Sequence, residues 1–117
     1  MERWAVTAAH RKFGIGLNLR RTGPEAQAHS RYSSGIKLIN CLGFGIPSIS
    51  NEEAGYTEIG DGCTLYCDDN RDCGRLVAKL QTDADLYEAL SRNALARGQD
   101  YSIDRAVAKY RALLTSL

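Results

Sequence analysis

The run Ser33-Ser34-Gly35-Ile36-Lys37 follows a stretch that carries Arg20, Arg21, His29 and Arg31 against the single acid Glu25. Where such a run opens a helix, the N–H groups of Ser34, Gly35 and Ile36 lack intrahelical acceptors, and the positive end of the helix dipole lies behind them. That arrangement attracts anions, phosphate above all. Gly35 puts no side chain in the path of an approaching oxygen, and Lys37 adds a point charge in the first turn. The competing reading is a solvated helix start beside a solvated basic loop, since helix N-termini are far commoner than occupied ones. Arg20 and Arg21 carry no motif beyond that loop.

Other chemistry is thinly represented. Cys41, Cys63, Cys67 and Cys73 are too unevenly spaced for a zinc site, which usually takes ligands in tight pairs. No metal is expected, and the four are read as ordinary buried thiols, with Cys63 and Cys67 on one face of a strand. The two histidines, His10 and His29, have no recognisable nucleophile partner. Asp68, Asp69, Asn70 and Asp72 lack the glycine and distal glutamate of a calcium loop and suit helix capping better. Gly14-x-Gly16 falls inside a strand pattern rather than after one, which argues against a dinucleotide fingerprint.

The chain that must position these residues has 117 of them, enough for one domain. With 44% hydrophobic and 25% charged residues it can bury a core. A net charge of +1 leaves no electrostatic footprint for nucleic acid. No apolar run approaches the roughly 20 residues of a membrane span, and Met1-Glu2-Arg3-Trp4 does not open a signal peptide. The expected location is the cytoplasm, or the inner face of a membrane reached through another segment or partner.

Periodicity predicts a helix over 1–12, a strand over Phe13–Leu19, a loop over 20–33 and a helix from Ser34 to Leu42 with Ser33 or Ser34 as N-cap. The glycines of Gly43-Phe44-Gly45 supply a left-handed cap. A strand over Pro47–Ser50 is followed by a loop over 51–61 with a helical turn at Tyr56–Ile59, then a strand over Gly62–Cys67. Helices follow over 70–81, from Thr82-Asp83 to about Gly98, and from Ser102 onward, the last with an apolar face of Ile103, Val107, Tyr110, Leu113 and Leu114. Strands alternating with helices predict an α/β fold with a parallel sheet. Three strands make it a partial Rossmann-like sheet flanked by helices, with a helical C-terminal tail.

The segment from Tyr32 through Gly45-Ile46-Pro47 to Ser50 resembles the nucleotide-sugar segment of retaining GT-B glycosyltransferases of the group 1, or family 4-like, type. Gly55-Tyr56-x-Glu58-Ile59, the strand Gly62–Cys67 and the tail from Leu90 to Tyr101-Ser102 resemble the segments that follow it in that family. The resemblance runs from about Phe13 to Leu117 and implies the C-terminal half of a GT-B fold. Residues 13–81 would be the α/β donor-binding part of a single partial domain spanning 1–117, and residues 82–117 its C-terminal helices. The implied activity is sugar transfer from a nucleotide-diphosphate donor, by a chain inactive without the missing N-terminal domain. The implied partners are the sugar nucleotide, and either the missing half or a second copy at the C-terminal helix. No cofactor is implied.

Carried over residue by residue, the donor site comprises Tyr32, Ser33, Ser34, Gly35, Ile36, Lys37 and Asn40. Many members place two glutamates here, where this chain has Tyr32 and Asn40. The Asn40 amide both donates and accepts, which suits a ribose hydroxyl. The alternative function is a non-catalytic nucleotide- or phosphate-binding module. A response-regulator-like or NAD-binding domain ranks third.

Overall fold

A computed structural model of the chain describes residues 14–19 and 35–117. The helix expected over 1–12, the loop expected over 20–33, and Tyr32, Ser33 and Ser34 lie outside the described residues. In chain order the elements are β1 (Gly16–Asn18), α1 (Ile36–Gly43), β2 (Ser48–Asn51), α2 (Ala54–Gly60), β3 (Thr64–Cys67), α3 (Asn70–Thr82), α4 (Ala84–Gly98), a 3-10 turn (Gln99–Tyr101) and α5 (Ile103–Thr115). The fold is α/β. The three described strands are parallel and lie in the order β1-β2-β3, as the alternation of strands and helices predicts.

The register sorts side chains by row. Leu17, Ile49 and Leu65 stand side by side, and so do Gly16, Ser48 and Thr64. The apolar row supplies Ile49 and Leu65 to one core cluster, with Cys67, Cys73, Leu76, Leu80 and Leu90. The second cluster joins Leu38 and Leu42 of α1, Tyr56 of α2, Cys63 and Ala94. Leu38, Leu42 and Ile49 are fully buried, each contributing roughly 1.5–3 kcal/mol.

A left-handed glycine closes the turn out of α1. Gly45 has φ +66. Its N–H donates to the Leu42 carbonyl at 3.0 Å, and the Ile46 N–H reaches back to the Cys41 carbonyl at 3.0 Å. This double closure is a Schellman motif, which needs a left-handed residue just past the C-cap. Pro47 then enters β2, where its carbonyl accepts from Gly16 N–H at 2.9 Å.

Local expectations needed correction in several places. The N-cap of α1 is Gly35, without a side-chain cap bond, rather than Ser33 or Ser34. Asp69, Asp83 and Ser102 do cap α3, α4 and α5, each accepting from the N–H three residues on. The helical turn expected at Tyr56–Ile59 is a seven-residue helix, anchored by buried Tyr56 and Gly60. Cys63 and Cys67 do not share a face: Cys63 precedes β3 and packs with α1 and α2, whereas Cys67 packs against α3. Helix α4 does end at Gly98, as expected, but with a right-handed φ of −60 that leads into the 3-10 turn and no left-handed cap. The missing side chain of Gly98 serves close packing instead, since a Cβ there would lie 2.9 Å from the Leu42 carbonyl oxygen.

Helix α4 lies across the amino ends of the described strands. Tyr87 Oη donates to the Gly14 carbonyl at 2.7 Å, Ser91 Oγ to that of Gly45 at 2.6 Å and Asn93 Nδ2 to that of Gly62 at 2.7 Å. Each acceptor lies just ahead of β1, β2 or β3. One helix therefore ties down the entrances of the three described strands, and parallel α/β sheets generally take ligands at the opposite, carboxyl, ends.

Candidate functional site

β1 ends on Asn18, and its neighbours end on Ser50-Asn51 and Cys67. Asn18 is buried, and its Nδ2 donates to Ser50 Oγ at 3.5 Å. Beside it lies a cleft of about 380 Å³ lined by Ile15, Gly16, Leu17, Asn18, Lys37, Asn40 and Cys41. Its walls are β1 and one face of α1. Two things bring these elements together. Gly16 lets α1 close onto the strand, since a Cβ there would lie 2.6 Å from Cys41 Sγ and 3.0 Å from Ser48 Oγ. Leu38, Cys41 and Leu42 form the buried stripe of α1, which turns Lys37 and Asn40, three residues apart and both exposed, toward the cleft.

Of the expected donor-site residues, the fold gathers Lys37 and Asn40 into one cleft. Ile36 projects into solvent with 62% of its surface exposed. Gly35 is buried, and its bareness has a packing cause: a Cβ there would fall within 2.8 Å of the Gly55 carbonyl and still closer to the Ile59 side chain. Glycine at this position lets α1 begin against α2, whatever else its amide does. Sequence reasoning missed Asn18 and Cys41 as cleft residues. An asparagine ending an apolar, glycine-bearing strand was the available signal for Asn18; nothing in the sequence marked Cys41.

Lys37 is the one charged side chain among the described residues that line the cleft. With Asn40 and Asn18 it offers a cation and two amides along a largely apolar wall. That set can hold an anion and hydrogen-bond hydroxyls. The titratable side chains among the described lining residues are Lys37 and Cys41.

The chain carries four thiols. All four are free and buried. Burial pushes the Cys67 thiol up to about 11, helped by the neighbouring Cys73, and burial raises Cys63 as well. Thiols held protonated at neutral pH make poor nucleophiles. Burial also raises the Tyr66 hydroxyl, which donates to the Tyr56 carbonyl at 3.1 Å and braces α2 against β3. Asp72 is held below the usual carboxylate range by its hydrogen bonds from Arg75 and from the Asp68 N–H. Among the described residues no cluster of three or more His, Cys, Asp or Glu could hold a metal ion, and no helix is long and apolar enough to cross a membrane.

No protein-family model and no curated protein matches the chain.

Proposed function

We propose that this chain supplies the C-terminal part of the nucleotide-sugar-binding half of a GT-B glycosyltransferase, holding a nucleotide-diphosphate sugar during transfer to an acceptor. The observation that carries the reading is the meeting of Lys37 and Asn40 with Asn18 in one cleft at the carboxyl end of β1. These two are the described polar members of the donor set that the resemblance implies. On this reading Lys37 pairs with a phosphate oxygen and Asn40 with a ribose hydroxyl, while the start of α1 faces the diphosphate. Stabilising the departing diphosphate is the electrostatic contribution such a site makes to transfer. Regions outside this chain would supply the acceptor site. A second reading is a module that binds a nucleotide or phosphate and does no chemistry, in keeping with Tyr32 and Asn40 standing where many members of the family place glutamates.

Isothermal titration of the whole chain with UDP, GDP, ADP and TDP tests both. At least one should bind, and Lys37→Ala and Asn40→Ala should each weaken it by about tenfold, the loss of one charge-assisted or buried hydrogen bond. Failure of every nucleotide to bind, or indifference to both substitutions, would refute the placement. Adding the corresponding sugar nucleotides and an acceptor panel separates transfer from binding alone.

A further inference from the structure

Helix α5 has an apolar face and nothing buried in it. Ile103, Ala106, Tyr110, Leu113 and Leu117 follow one another at steps of three and four residues, and Val107 and Leu114 widen the stripe. Ile103 is 77% exposed, Tyr110 69% and Leu117 94%. Val107, Leu113 and Leu114 are exposed as well, so the whole face, with Leu117 just beyond the helix end, is free of the other described elements. A helix this amphipathic is normally held by packing of its apolar side rather than by its own propensity.

We propose that α5 is a self-association surface, pairing antiparallel with α5 of a second copy about a twofold axis near Ala108. The spacing and the charges both select that geometry. In an antiparallel pair the two apolar rows interlock when Ile103 lies level with Leu113 of the second copy and Ala106 with Tyr110. That register places Asp104 one residue, about 1.5 Å along the axis, from Arg111 of the second copy. Asp104 and Arg111 are seven residues apart and so border the same side of the stripe. Antiparallel pairing turns that border toward its own symmetry mate. The twofold axis therefore makes two Asp104–Arg111 pairs at once, as an isologous interface requires. Lys109 borders the other side and meets its own mate near the axis, a like-charge contact that opposes association.

Sedimentation equilibrium of the 117-residue chain over a micromolar to submillimolar series should find a concentration-dependent dimer. Leu113→Asp with Leu114→Asp should make the chain monomeric without changing its circular dichroism, because neither side chain is buried in the monomer. Asp104→Arg or Arg111→Asp alone should weaken the dimer about five- to tenfold, since each loses two partly exposed pairs and gains like-charge contacts. The double reversal, Asp104→Arg with Arg111→Asp, should restore it. Lys109→Gln should tighten the dimer by about threefold in low salt and by less at 0.5 M NaCl. A monomer at every concentration, or a dimer that survives the two aspartates, overturns the surface. A double reversal no tighter than the single variants overturns the antiparallel register.

Discussion

Replacing Gly45 by alanine tests the turn that joins α1, which carries Lys37 and Asn40, to the middle strand. Two costs are legible at that residue. The first is conformational: φ is +66, and a residue with a Cβ loses roughly 1–2 kcal/mol there. The second is steric, because the new methyl would sit 2.7 Å from Leu95 Cγ and 3.1 Å from both of its methyl carbons. Leu95 is 48% exposed, so it can swing away, at the roughly 0.5–1.5 kcal/mol of an off-rotamer side chain. Against these stands the usual gain from stiffening the unfolded chain, about 0.4–1 kcal/mol. The balance is a loss of about 2 kcal/mol. Urea unfolding followed by circular dichroism measures it, and Leu95→Ala separates its parts. In the Leu95→Ala background, Gly45→Ala should cost only about 1 kcal/mol, the conformational share. If Gly45→Ala is neutral or stabilising, the left-handed turn is not a constraint on this fold. If the cost is unchanged without Leu95, the steric share is wrong.

Two further outcomes follow from the capping and the thiols. Asp69→Ala removes the side chain that accepts the Asp72 N–H at 2.7 Å and should destabilise the chain by about 1 kcal/mol in urea unfolding, whereas Asp69→Ser should recover most of that loss. The four thiols should resist Ellman's reagent in the native chain and react at once in urea. Because Cys67 keeps its proton up to about pH 11 when folded, against an ordinary value of 9.0, the folded state binds more protons than the unfolded one between those values. Stability should thus be insensitive to this group below pH 9 and fall as pH rises from 9 toward 11. Midpoints of urea unfolding at pH 8 and pH 10 measure that slope, and Cys67→Ala should reduce it, leaving the share of the other buried thiol that burial raises, Cys63.

Much of the fold was written locally. Asp69 and Asp83 announce helix starts because a short acidic side chain reaches the N–H three residues on, whatever surrounds it. Gly45 followed by Pro47 announces a helix stop and a strand entry, because left-handed φ and a fixed proline φ are properties of single residues. The alternation of short apolar strands with amphipathic helices announces a parallel sheet. The pairing of Lys37 with Asn40 was also readable, as three-residue spacing on a helix puts both on one side.

What the sequence could not decide were contacts between residues far apart in the chain. The bareness of Gly35 read as room for an oxygen, and its packing role beside α2 was invisible because only the folded chain brings Gly55 and Ile59 to it. Cys63 and Cys67 looked equivalent by strand period, yet the turn at Gly62, with φ +77, delays β3 and sends them to different clusters. Asn18 and Cys41 became cleft residues only when α1 closed on Gly16. Tyr87, Ser91 and Asn93 are ordinary polar residues of a helix until tertiary packing aims them at the entrances of the three strands. The sequence by itself determined the elements and their caps, because those depend on backbone preferences within a few residues. The tertiary structure alone decided which ends of the described strands α4 ties down and which helix faces the described residues cover, because those depend on what packs against what.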